Sequence, residues 1–173
     1  TVRTGGDECL RKVCKPVKSV SLRTRILIED MFDTMYESGG VGLAAPQIGV
    51  LKRIVVMDTD DNQHVLINPQ ILEVSGEQTG YEGCLSIPGK SGIVTRPDYV
   101  KVKALNERGE EYVLEGEGLL ARCICHECDH LDGILYSDKA EGGLINNEDL
   151  PEDEEEELYE DAYEEFTEEE IHK

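Results

Sequence analysis

The pattern of the chain predicts an α+β fold with antiparallel sheets. Three observations carry this: one amphipathic helical segment, a run of short β-branched segments divided by turns, and a second helix bearing a cluster of metal-binding side chains. The first helix covers Val20 to Ser38, with Val20, Leu22, Ile26, Leu27, Met31, Met35 and Tyr36 as its apolar face. Glu-Ser-Gly-Gly at 37–40 stops it. The stretch GGVGLAAPQIGV at 39–50 follows, and its residues are too small to fill a core by themselves, so its glycines predict close approach by a ligand or another backbone. Strands are then expected in RIVVMD at 53–58, HVLINPQILEV at 64–74, YVKVKAL at 99–105 and EEYVLEGEG at 110–118. Asp-Asp-Asn, Ser-Gly-Glu, Arg-Pro-Asp and Glu-Arg-Gly separate them, which reads as an antiparallel meander. The second helix begins between Glu117 and Leu120 and runs to about Leu131, where Asp132-Gly133 ends it.

Composition bounds the rest. A chain of 173 residues fits one domain able to bury a core without disulfides. No apolar run approaches the ~20 residues of a membrane span, and TVRTGGDECL lacks the order of a secretion signal, so the expected location is the cytoplasm. The six cysteines are accordingly expected as reduced thiols. Of the net charge of −21, −14 lies in residues 148–173 and −7 in the remainder. Neither part has the basic character of a nucleic-acid binder. The chain therefore divides into a main domain over 1–147, which the motifs below mark as the catalytic domain, and an acidic tail over 148–173. In the tail Leu158, Tyr159, Ala162, Tyr163 and Phe166 recur at helical spacing, while PEDEEEE reads as solvated charge.

The chemistry concentrates in CICHECDH at 123–130. A helix turns about 100° per residue, so His126 and His130 project together and suit one metal ion. Glu127 lies close enough to their face to reach a water at that ion without being a ligand. Cys125 and Cys128 face the other way and are expected as packing residues. Cys123 lies on the histidine side one turn earlier and is expected to form a wall. The continuation found in one protease class fails here, because its last histidine position holds Tyr136. Glu141 and Glu148 are available as downstream ligands but nothing distinguishes them. The third ligand is expected upstream in GYEGCLSIPGKSG, where Gly and Pro can hold the thiolate of Cys84 open to a site.

Three separated segments, GVGLAAPQ at 40–47, EGCLS at 82–86 and HECDH at 126–130, resemble in order the three motifs of peptide deformylases of bacterial type. The resemblance spans roughly residues 3–140 and includes LRKVCKPV near the start. It implies antiparallel sheets packed around a central metal-binding helix. It also implies a hydrolase that removes the formyl group from the initiator formyl-methionine of new proteins and releases formate. Cys84, His126 and His130 would hold the metal, expected as Fe2+ with Zn2+, Ni2+ or Co2+ able to substitute, and leave a position open for water. Glu127 would carry the proton. Gln47 and the backbone N–H of Leu85 would face the developing oxyanion. Val41, Gly42 and Gly83 would border the extended peptide, and Leu119 and Cys123 would wall the methionine pocket. Asp129 is placed to orient the helix or a ligand, and Glu82 with Arg96 to form an ion pair behind the site.

The partners implied are N-formylmethionyl nascent peptides, with transient ribosome association that an acidic tail would not mediate through RNA. Two other readings compete. A zinc endopeptidase of the HExxH type would cleave inside casein-like chains and need no Cys84. A non-catalytic zinc module would use Cys125 and Cys128 for structure.

Overall fold

Ser21 starts the first helix, α1, which spans Leu22–Glu37. Its hydroxyl accepts the Thr24 N–H at 3.3 Å, while the Thr24 hydroxyl accepts the Ser21 N–H at 3.2 Å. This reciprocal pair satisfies two backbone donors at the helix start. The buried face is Ile28, Met31, Phe32 and Met35. Here the expected face is corrected, because Leu22, Ile26 and Tyr36 are exposed. Apolar residues occupy two neighbouring rows of this helix. The row that is buried is the one lying over Leu43, Ile54, Val56 and Ile67, a choice set by tertiary packing.

A computed structural model describes residues 1–151. The tail helix expected around Leu158 to Phe166 lies outside the described residues. Among the described residues eight strands form two antiparallel sheets. The larger sheet contains β1 (Gly42–Ala44), β2 (Ile54–Asp58), β3 (Gln63–Ser75), β6 (Tyr99–Leu105) and β7 (Glu111–Glu117), in the order β1-β2-β3-β6-β7. The smaller contains β4 (Gln78–Cys84), β5 (Ile87–Arg96) and β8 (Glu141–Asn146), in the order β4-β5-β8. The chain thus leaves the large sheet after Ser75, makes the β4–β5 hairpin, and returns at Tyr99 to pair with β3.

The second helix, α2, spans Gly118–Leu131 and runs against the large sheet. Alternation along β2 shows how this works: Ile54 and Val56 face α1, whereas Val55 and Met57 face α2. Both faces of the strand are covered, which is why its sequence is apolar without interruption. Under α2 lie Ala121, Ile124, Cys125, Cys128 and Leu131, all in one core with Leu66, Val100 and Val102. Burying each of these larger aliphatic side chains contributes about 1.5–3 kcal/mol. The opposite side of α2 is thereby fixed toward β4, and that is where its histidines project.

Several hydrogen bonds tie down the N-terminal segment. Asn68, at φ 52°, accepts the Val17 N–H and donates to the Val17 carbonyl, both at 2.8 Å. The Arg3 N–H donates to the Gln47 carbonyl at 2.6 Å and the Gly5 N–H to the Ser86 carbonyl at 2.8 Å. The first residues therefore strap together two distant motifs.

Candidate metal centre

Cys84 is the last residue of β4, and Leu85 and Ser86 form the two-residue turn into β5. Glu82 and Cys84 both meet the histidines of α2, on either side of a register irregularity in the β4–β5 ladder. On α2 His126 and His130 stand one turn apart, with ring centres 5.1 Å from each other. The result is that donor atoms of Cys84, His126 and His130 lie within 4.8 Å of one another. Among the described residues this is the one cluster of three such groups with that spacing. The Cys84 sulfur is 3.3 Å from His130 Nε2.

The surroundings fix which nitrogen faces the cluster. His126 Nδ1 lies 2.9 Å from Glu82 Oε2, so its N–H is directed to the carboxylate and Nε2 is turned inward. Glu82 in turn accepts from Arg96 Nε and Nη2 at 2.9 Å each and from Arg122 Nη1 at 2.7 Å. Arg96 also donates to Asp129 at 2.6 Å. Asp129, also held by Lys139 at 2.9 Å, anchors the helix through Arg96 rather than touching the ligand cluster directly. Burial alone would raise the Glu82 carboxyl, but the hydrogen bonds from His126 and Arg96 outweigh it and hold it well below the usual carboxylate range.

Electrostatics separate the other groups. Burial works against a charged His126, yet the neighbouring Cys84 sulfur and the Glu82 carboxylate push it up to about 10. His130, buried and beside His126, is pushed down to about 3. Burial raises Glu127 to about 7, the range in which a carboxylate both takes and returns a proton near neutrality. Burial also pushes the thiols of Cys123, Cys125 and Cys128 up, which keeps them protonated. Glu127 Oε2, His130 Nδ1 and the Tyr136 hydroxyl are buried without a hydrogen-bond partner among the described residues. The Cys84 sulfur, two imidazoles and the unpartnered Glu127 Oε2 suit a bound divalent ion and its waters.

Beside the cluster opens a cavity of about 300 Å³. Val41, Gly42, Gly83, Cys84, Leu85, Leu119, Cys123, His126 and Glu127 line it, and Gln47 and His130 stand behind Cys84. Gly42 has no room for a side chain, because a Cβ there would lie 2.7 Å from Glu127 Oε1 and 2.8 Å from Cys123 Sγ. A Cβ on Gly40 would lie 2.7 Å from the Leu85 side chain. The close approach expected of this glycine-rich stretch is therefore made by the two other motifs. Gln47 is buried in the short 3-10 turn Ala45–Ile48. Its Oε1 accepts the Ala44 N–H at 2.9 Å and its Nε2 donates to the Ser86 hydroxyl at 3.1 Å, with Cys84 Sγ 3.6 Å away.

The profile of the polypeptide deformylase family matches residues 1–143. The chain belongs to the peptide deformylase family. A peptide deformylase of Agathobacter rectalis is 60% identical over 144 residues, covering 83% of this chain and 91% of that one. One of Lachnoclostridium phytofermentans is 55% identical over 158 residues, covering 90% and 97%. Among solved structures, the peptide deformylase of Thermotoga maritima aligns with a TM-score of 0.80 at 43% identity, over 82% of this chain and 97% of that one. The Synechococcus elongatus deformylase in complex with actinonin aligns with a TM-score of 0.80 at 42% identity, over 82% and 80%. These matches support deformylase chemistry and give nothing to the endopeptidase reading. They also agree with the antiparallel α+β fold.

Two residues around the deformylase site, one lining the cavity and one behind it, were passed over by sequence reasoning. Arg122 is buried and donates to the Val94 carbonyl at 3.1 Å as well as to Glu82. Its position four before His126, on an otherwise apolar helix face, was the available signal. Ser86, fully buried, holds the Gln47 amide. Nothing in a single serine marks such a partner before the turn is folded against the 3-10 segment.

Proposed function

We propose that Cys84, His126 and His130 together hold one divalent ion for hydrolysis of the formyl group of N-formylmethionyl peptides in the cytoplasm. The single observation that carries this is the convergence of a strand-end cysteine, two helix histidines and Glu127 on one cavity. Family resemblance makes iron(II) the expected occupant, with zinc, nickel and cobalt as substitutes. When bound, such an ion polarises the formyl carbonyl and makes water acidic enough to react near neutral pH.

The chain supplies the remaining functions. Glu127, raised by burial, takes a proton from the attacking water and returns it to the departing amine. Gln47 and the Leu85 N–H donate toward the formyl oxygen as it gains charge. The backbone of Val41 and Gly42 receives an extended peptide, with Gly83 on the facing rim. Cys123, kept as a neutral thiol, and Leu119 border the methionine side chain. A transient ribosome contact through the acidic tail would be made to a basic protein surface rather than to RNA.

An anaerobic formate-release assay with iron-loaded protein and formyl-Met-Ala-Ser tests this reading. Stoichiometric release of formate and Met-Ala-Ser is expected, with casein left intact. Internal cleavage of casein without formate release would contradict it.

A further inference from the structure

No residue from 1 to 6 is buried, so no core of their own holds these residues in place. Backbone hydrogen bonds do so instead. The Arg3 N–H donates to the Gln47 carbonyl at 2.6 Å and the Gly5 N–H to the Ser86 carbonyl at 2.8 Å. Just beyond them, Asp7 caps the 3-10 turn Glu8–Arg11, and Cys9 Sγ donates to the Pro46 carbonyl at 3.4 Å. The Arg3 guanidinium lies over Gly49, where a Cβ would stand 3.2 Å from its Nε and Nη2. The N-terminal segment therefore meets the turn that carries Gln47 at Pro46, Gln47 and Gly49.

Both ties of the strap Arg3–Gly5 converge on one side chain. The first ends on the carbonyl of Gln47 itself. The second ends on Ser86, whose hydroxyl accepts from Gln47 Nε2 at 3.1 Å. Arg3 to Gly5, Ser86 and Gln47 thus close a ring of hydrogen bonds and backbone. Within it, Gln47 Oε1 accepts the Ala44 N–H at 2.9 Å, which fixes the way the amide faces. The second Nε2 hydrogen is left on the Cys84 side, with the sulfur 3.6 Å from the nitrogen.

We infer that Arg3 and Gly5 are positioning residues, whose backbone N–H groups hold the Gln47 amide at the angle from which it donates to the formyl oxygen. This rests on the oxyanion role proposed for Gln47 above. Removing one oxyanion donor costs about 10²–10³ in kcat, and a donor that is present but loosened loses part of that. Two neutral backbone hydrogen bonds at an exposed edge add little to the stability of the whole fold. The effect of the strap therefore falls on turnover rather than on folding.

Two variants of the full-length chain test this. Arg3→Pro removes the first donor. Gly5→Ala, at φ 58°, puts a side chain into a strained backbone and shifts the second. Val2→Pro, one residue before the strap, is the control. With formyl-Met-Ala-Ser, Arg3→Pro and Gly5→Ala should each lower kcat about five- to tenfold and leave KM within about twofold. In 15N-labelled, zinc-loaded protein the Gln47 side-chain amide hydrogens should exchange at least about threefold faster in both variants, and at the native rate in Val2→Pro. In a Gln47→Ala background, Arg3→Pro should change kcat by less than about twofold. Native Gln47 exchange and native kcat in both variants would overturn the inference. So would a kcat penalty for Arg3→Pro as large without the Gln47 side chain as with it, which marks general loosening of the fold. The exchange measurement uses no substrate, so a native chain that releases no formate would contradict the proposed reaction alone.

Discussion

Gly42 sets the distance between the backbone of β1 and Glu127, the proposed proton carrier. A Gly42→Ala side chain would overlap Glu127 Oε1 and Cys123 Sγ, and the open space beside them is the cavity itself, so relief of the overlap moves Glu127 within the site. Displacing a catalytic carboxylate by about 1 Å costs on the order of 100-fold, so kcat/KM for formate release should fall by about 10- to 100-fold while the fold persists. Ser86→Ala should loosen the Gln47 amide and lower kcat about tenfold, with Ser86→Thr restoring part of it. Cys84→Ser replaces a soft thiolate with a hydroxyl and should lose the ion, as metal analysis after dialysis will show. The residue scale was only partly legible in the sequence. His126, Glu127 and His130 are local, and helix periodicity alone groups them. Cys84 is 42 residues upstream of His126, and only its motif gave it away. Arg122 and Ser86 were hidden because their roles exist only once β4, β5 and α2 meet.

Elements were read well where one periodicity rules and poorly where two surfaces compete. The limits of α2 emerged as expected because Asp132-Gly133 closes it, with Gly133 at φ 73°. A Cβ on Gly133 would lie 2.5 Å from the Arg11 carbonyl oxygen. Gly133→Ala therefore combines backbone strain with a clash, and should destabilise by roughly 1–3 kcal/mol, seen as a fall of several degrees in Tm. The face of α1 was misread because apolar residues border its buried stripe on both sides, and only the sheet beneath selects Ile28, Met31, Phe32 and Met35. The β4–β5 hairpin was not read as strands at all. Its glycines lower strand propensity, and its pairing is confirmed only by the ladder from Gln78 opposite Arg96 to Cys84 opposite Ile87.

At the scale of the whole molecule, the two sheets meet through one helix, and the candidate ion ties that helix to the smaller sheet through Cys84. Ligand binding to the folded state alone adds stability, so chelation should lower Tm by several degrees and abolish formate release, and iron(II) added without oxygen should restore both. No described helix is long and apolar enough to cross a membrane. The central claim is that Glu127 moves the proton while other residues hold the ion. Its most direct test measures metal content and formate release together in Glu127→Ala. The variant should retain about one ion per chain and lose activity by about 10²- to 10⁴-fold. A metal-loaded Glu127→Ala protein with near-normal turnover would contradict the account.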